Sequence, residues 1–385
     1  MSDFLNFVCA DIKSLRIPLP NNCNYTLRFK KNEKSFASLW FRTKGCKYSY
    51  QGGCTMCDYF ISDDVTEEDM FSFFIDALNE LQEEPNLMVL MTSGSFLDPC
   101  EVPETVRIRI YEELQRRFSK TVFVLETHAS TINDKTIEQC LKYFEPSRLQ
   151  FEIGIESSNE WIRKYCVNKV FENSYVENVI RELNSKGIMT IVNIVVGIPF
   201  LSLKENIEQA TESVRWALRC GASKCSLFPV NLKPFTLVYW MQKNDMYNQL
   251  SLWALIDILG RIRKPFLSRV DINWYHHFPP MQNPLYKESI IGPYTCDECY
   301  NKVIALLDEY FLGDVDRVKI VDKLKSIKCD CKDLYNHSLN VSLTSTLSSR
   351  VKEAYIKIGI KRYGQQFWSQ ENTNKFLSIE EGNAK

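Results

Sequence analysis

Between residues 35 and 230, apolar runs long enough for one strand alternate with segments that carry apolar residues at helical spacing. The strand-like runs are SFASLWFRT (35–43), NLMVLMTSG (86–94), TVFVLETH (121–128), RLQFEIGIES (148–157), GIMTIVNIVVG (187–197) and ASKCSLFPV (222–230). Helical segments lie near 66–84, 103–118, 134–145, 159–186 and 203–220, with Thr66 ahead of a run of acids and Pro103 marking two of the starts. Strands linked this way join one sheet in parallel through right-handed crossovers, so the fold class is α/β. A doubly wound sheet and a partial (β/α)6 barrel both satisfy that pattern. The strand faces favour the barrel. Val124, Glu126 and His128 share one face of their strand, and Phe123 and Leu125 share the other. Glu152, Gly154 and Glu156 likewise oppose Phe151, Ile153 and Ile155. Helices cover an apolar face, whereas a face bearing carboxylates has to line a solvated or ligand-filled interior, because burying unpaired charge is expensive.

Beyond residue 230 the alternation stops. The reading divides the chain into an N-terminal extension (1–34), the partial barrel (35–232) and a segment with a lid and an additional strand and helix (233–292). A cysteine-bearing metal segment (293–335) follows, then a linker with a basic, aromatic C-terminal helix or tail (336–385). Tyr239, Trp240 and Met241 are the lid candidates, and RVDINWYHH (269–277) reads as one more strand. The net charge of −1 over 385 residues gives no global field that calls for nucleic acid or a membrane surface. The most apolar stretch contains Asn193 and Pro199, so a buried strand and turn are expected rather than a membrane span. The first residues lack a basic region followed by an apolar run, so a cytoplasmic protein is expected. In such a compartment, fourteen cysteines point to metal ligands more than to disulfides.

Three of those cysteines fall in one loop after the first barrel strand, GCKYSYQGGCTMCDYF, as Cys46-x7-Cys54-x2-Cys57. They could be structural thiols, zinc ligands completed by a distant residue such as His128, or ligands of an iron–sulfur cluster. A four-iron cluster ordinarily takes four thiolates, so three leave one iron open to a small ligand.

The cysteine trio in its strand context, with the GGCTMC core and the TSGSFLDP element at 92–99, resembles the radical S-adenosylmethionine (SAM) superfamily. Within it the chain is similar to the archaeosine-synthesis proteins and, more distantly, to the Elongator catalytic subunit. The x7 gap departs from the commoner CxxxCxxC spacing. The resemblance covers roughly residues 35–335. It implies a [4Fe–4S] cluster on Cys46, Cys54 and Cys57, and SAM chelating the open iron. It further implies Tyr59 near adenine, one place displaced because Asp58 occupies the usual aromatic position. Ser93, Gly94 and Ser95 are implied at the methionyl amino group, Glu156 and Ser157 at ribose and carboxylate, and Gly197 and Ile198 packed on adenine. Ser95 stands where the family motif often carries Glu. The implied activity is SAM cleavage to a 5′-deoxyadenosyl radical, with an electron donor such as flavodoxin or ferredoxin. The implied substrate is a 7-deazaguanine nucleoside in tRNA, specifically a lysine-bearing 7-deazaguanosine that the radical cleaves. Glu126, His128, Glu152 and Asn193 are substrate-side candidates, since their faces point inward.

A second set, Cys296-x2-Cys299-x29-Cys329-x-Cys331, offers four thiols in two close pairs. That donor set suits structural zinc, and an auxiliary iron–sulfur cluster is the alternative. Basic residues interleaved with aromatics at 350–368 suit RNA or a solvated amphipathic helix. Two other functions stay open at this point. One is a radical enzyme acting on a small metabolite or peptide, and the other is a non-enzymatic zinc-binding module.

Overall fold

Strands β1 (Tyr25–Lys31), β2 (Ser35–Phe41), β3 (Leu87–Met91), β4 (Val122–Thr127), β5 (Leu149–Glu156), β6 (Met189–Val196), β7 (Lys224–Pro229) and β8 (Val270–Ile272) form one sheet in unbroken chain order. Strands β2 to β8 run parallel, and β1 adds antiparallel to β2. Strictly sequential order has no reversal point, which excludes the doubly wound alternative and leaves a curled partial barrel. This is a computed structural model; it describes residues 2–16, 24–31, 35–59, 64–276, 290–312, 316–341 and 344–380.

The helices, in order, are α1 (Asp3–Ser14), α2 (Glu67–Asn79), α3 (Glu104–Arg117), α4 (Asp134–Leu141), the single turn α5 (Glu160–Ile162), α6 (Asn173–Ser185) and α7 (Leu203–Arg219). They continue with α8 (Leu237–Lys243), α9 (Leu252–Arg261), α10 (Tyr300–Leu312), α11 (Arg317–Ser326), α12 (Asp330–Leu339), α13 (Leu347–Tyr363) and α14 (Gln370–Phe376). Local chemistry sets the starts: Thr66 with Asp69 and Ser202 with Glu205 form reciprocal capping boxes on α2 and α7. The outward residues Phe123, Leu125, Phe151, Ile153, Val192 and Ile194 join Phe74, Ile110, Leu183 and Val214 of the helices in one buried core.

Several expectations change. The N-terminal extension contains α1 and β1. The helix expected over 159–186 is interrupted by a π-helical turn at Arg163–Val167 and by Asn168 in the left-handed region (φ 68°). Asn168 tolerates that conformation, and its amide bonds Gly53 O and Asn6 Oδ1, at 2.9 and 3.0 Å. The lid candidates are core: Met241 is buried, and Tyr239 and Trp240 pack on the same second cluster, away from the cavity wall. The C-terminal segment is docked rather than trailing. Arg350 pairs with Glu205 at 2.6 Å, Arg362 pairs with Asp11, and Tyr355 is buried. Two of the cations read as RNA contacts thus serve the fold. β8 lies within RVDINWYHH, whose His277 falls outside the described residues.

Candidate functional site

The inward residues of the sheet line one cavity of about 2010 Å³, among them Val124, Glu126, Glu152, Gly154, Glu156, Asn193, Ser226 and Asp271. Ordinary ligand pockets reach roughly 1,000 Å³, so this one has space for more than one small molecule. The alternation read from β4 and β5 therefore holds, since the polar residues face the interior and the aromatic ones the helices.

Cys46, Cys54 and Cys57 all line the cavity rim at the C-terminal ends of the strands. Two glycines bend the loop between them, Gly52 at φ 86° and Gly53 at φ 72°. A side chain at Gly52 would strike the backbone oxygen of Asn6 in α1. Two further elements hold the loop through three bonds. Thr55 N–H donates to Val167 O (3.0 Å), the Thr55 hydroxyl donates to Cys166 O (2.9 Å), and Val238 N–H donates to Thr55 O (3.2 Å). Burial raises all three thiols, Cys54 to about 12. Lys169 acts in the opposite sense on Cys54, and Lys13 and Lys233 do so on Cys57.

These residues fit a cluster. One buried and two half-buried thiols facing a cavity, with cations nearby, suit an anionic centre. They are also not gathered as closely as a single ion requires, within the 4.8 Å that embraces the four C-terminal thiols. The small residue at Gly94 leaves the space: a Cβ there would lie 2.7 Å from Cys46 Sγ.

Sequence reasoning missed Glu101. Its buried carboxylate accepts from Gly94 N–H (2.9 Å), Ser95 N–H (2.6 Å) and the Thr43 hydroxyl (2.9 Å). It thus fixes the TSGS loop against the cysteine loop, close to where a Glu would have stood at position 95. Burial is the main reason its pKa rises to about 6. The only available signal was a lone acid a few residues beyond a strand end. Glu101→Ala should leave three donors without an acceptor and cost on the order of 3 kcal/mol or more. Chemical denaturation would measure this, and a loss below about 1 kcal/mol would deny Glu101 that role.

The other candidates separate into two groups. Ser93, Gly94, Tyr59, Glu156 and His128 line the cavity. Ser95, Ser157, Gly197 and Ile198 do not. The Ser95 hydroxyl contacts Thr127 and Thr131 Oγ1 at 2.6 and 2.8 Å. The Tyr247 hydroxyl donates to Gly197 O (2.8 Å), and Ile198 N–H donates to Asn206 Oδ1 (2.7 Å), so both backbone groups are already engaged. Glu156 sits at a bulge ending β5 with φ 61°, a costly conformation for a side-chain-bearing residue, and meets Lys169 at 2.6 Å. Burial opposes the Lys169 charge, but Glu156 and the Cys54 thiol outweigh it and raise its pKa. His128 lies 4.9 Å from the Tyr48 ring and is held neutral by burial and then by Lys169 and Lys47.

Outside the cavity lining, Cys296, Cys299, Cys329 and Cys331 bring their sulfurs within 4.8 Å of one another, with separations of 3.4–3.5 Å along four edges. Four thiolates at 2.3 Å from one ion would lie about 3.8 Å apart, so this is a pocket of single-ion size. The Trp253 indole N–H donates to Cys331 Sγ at 3.2 Å.

No family model matches the chain. Archaeosine synthase subunit beta from Methanosarcina acetivorans is 26% identical over 305 residues, which are 78% of this chain and 84% of that protein. Archaeosine synthase subunit beta from Thermococcus kodakarensis is 23% identical over 304 residues, 77% of this chain and 89% of that one. Among solved structures, the Methanocaldococcus infernus Elp3 with an N-terminal deletion is 15% identical at TM-score 0.44, covering 63% of this chain and 58% of that one. The sequence similarity runs along most of both chains, so this chain, with its cysteine trio opening on a partial barrel, is similar to the archaeosine synthase subunit beta proteins.

Proposed function

We propose that the chain is a radical SAM enzyme that uses a [4Fe–4S] cluster on Cys46, Cys54 and Cys57 to cleave SAM and act on a tRNA nucleoside. The observation that carries this is that the three thiols, Ser93 and Gly94 of the TSGS loop, and Glu156 all line one large cavity. When bound, the cluster and SAM supply a 5′-deoxyadenosyl radical that takes a hydrogen atom from the substrate. The chain's own residues do the positioning. Cys46, Cys54 and Cys57 would hold the cluster, and the missing side chain at Gly94 lets the TSGS loop pack directly against Cys46. Glu156, fixed by Lys169, would orient SAM hydroxyl or amino groups.

The similarity to proteins named for archaeosine synthesis supports a tRNA substrate, and the word "subunit" in their name supports a partner chain. The four-thiol site, being of single-ion size, supports structural zinc rather than an auxiliary cluster. Anaerobically reconstituted protein should convert SAM to 5′-deoxyadenosine on reduction by dithionite, read by liquid chromatography. It should also bind tRNA at low salt, with affinity falling as salt rises. Reduced, iron-loaded protein that yields no 5′-deoxyadenosine with tRNA present would end the radical reading. Turnover without tRNA affinity would leave an enzyme of a small metabolite or peptide.

A further inference from the structure

A residue from outside the cysteine loop closes the gap between Cys46 and Cys54. Lys13, in the last turn of α1, lines the cavity, and its Nζ donates to Tyr59 O at 3.3 Å and to Ser49 Oγ at 3.5 Å. Ser49 Oγ itself donates to Tyr59 O at 2.8 Å. The ammonium also sits against Gly53, where a Cβ would lie 2.1 Å from Nζ. Ser49 follows Cys46 by three residues, Gly53 directly precedes Cys54, and Tyr59 follows Cys57 by two. One cation therefore touches a near neighbour of each of the three cysteines.

A lysine in the last turn of a helix ordinarily serves the helix dipole from solvent. Lys13 is half-buried and turned to the loop instead. The other lysines beside the loop are paired with carboxylates. Lys47 meets Asp98 at 3.0 Å, Lys169 meets Glu156 at 2.6 Å, and Lys233 meets Asp58 at 2.9 Å. Lys13 has no carboxylate partner among the described residues, and both of its hydrogen bonds go to neutral oxygens. A paired lysine is nearly cancelled at a distance by its partner, whereas the field of Lys13 reaches the loop undiminished. Burial pushes the thiols of Cys54 and Cys57 up, and Lys13 opposes that at both.

We propose that Lys13 is the charge-compensating positioning residue of the cysteine loop, clasping it and favouring the more negative, reduced state of a cluster held there. This rests on the cluster reading above. One-electron reduction breaks no bond and adds one negative charge to the bound group. A fixed, unpaired cation in a half-buried site stabilises that added charge. The clasp sets where the cation stands, since Tyr59 O, Ser49 Oγ and Gly53 hem in the ammonium.

The variants K13Q and K13R separate charge from hydrogen bonding. Glutamine keeps N–H donors but carries no charge, and arginine keeps the charge. Iron content and reduction midpoint are measured on the anaerobically reconstituted full chain, the midpoint by electron paramagnetic resonance along a dithionite titration. K13Q should keep about four irons per chain. It should become on the order of tenfold harder to reduce, a midpoint about 59 mV lower for one electron. K13R should stay within about threefold of the unaltered protein, because the charge remains. Loss of iron from K13Q with retention in K13R would also support the role, since charge would then be needed to hold the cluster at all. An unchanged midpoint in iron-loaded K13Q would overturn it. So would equal loss of iron from both variants, or a midpoint in K13R as low as in K13Q. The two claims fail separately. A reducible cluster without 5′-deoxyadenosine removes the radical reading and leaves the role of Lys13 standing, whereas unaltered protein that binds no iron removes both.

Discussion

Replacing Cys46, Cys54 and Cys57 together by alanine should strip the reconstituted protein of about four irons per chain and abolish SAM cleavage, with the sheet intact. The fold should survive because the loop is held by bonds the change does not touch: Thr55 to Cys166 and Val167, Val238 to Thr55, and Asn168 to Gly53. Each single substitution should have nearly the same effect on turnover, since two thiolates cannot anchor a cluster at one orientation to a substrate. A drop of more than about a thousandfold in 5′-deoxyadenosine formation corresponds to roughly 4 kcal/mol of lost transition-state stabilisation. Iron analysis and absorbance near the visible thiolate-to-iron bands give the binding readout independently of activity. Unchanged iron in the triple variant would place the cluster elsewhere.

The second large effect concerns stability. Cys296 lies just before α10, and Cys329 and Cys331 lie at the start of α12, so one ion at their centre ties together segments about thirty residues apart. The site is continuous with the core, because Trp253 of α9 is buried and bonds Cys331 Sγ. Structural zinc contributes on the order of 10 kcal/mol in small domains, and binding of that kind is folding free energy. Cys296→Ser with Cys331→Ser should therefore remove one zinc per chain and lower Tm by on the order of 10 °C, leaving the iron content of the cysteine loop unchanged. Elemental analysis and calorimetry report both. Zinc-free native protein carrying more than four irons would assign the four thiols to a second cluster.

Much of the architecture was legible because parallel strands buried on both sides leave a simple trace, a run of Val, Ile and Leu, repeated at helix-sized intervals. The inward faces of β4 and β5 were legible for a related reason, since a carboxylate in a strand needs a wet or liganded side. What was not legible depended on contacts distant in sequence. β1 is an exposed-edge strand whose RFKK segment carries little apolar signal, and only pairing with β2 makes it a strand. Trp240 and Met241 read as a lid on composition, yet α8 is set by α1 and the C-terminal helices, which sequence order does not bring near. Glu101 was invisible because its partners come from two loops about fifty residues apart, Thr43 on one and Gly94 with Ser95 on the other. Arg350 and Arg362 looked free to meet phosphate until Glu205 and Asp11 were placed beside them.

The wall behind the cysteine loop has a consequence for the order of assembly. α1 backs the loop, and α1 is itself gripped by the last helices. Tyr355 and Phe4 rings are 4.5 Å apart, Phe7 stacks on Phe367 at 5.7 Å, and the Tyr363 hydroxyl donates to Asp11 at 2.8 Å. On a ribosome making roughly 5–20 residues per second, these helices emerge some tens of seconds after Cys57. Through that interval α1 is made but lacks the C-terminal helices that grip it. A cluster loaded on the three thiols would therefore meet a less constrained loop before synthesis ends than after the C-terminal helices have docked.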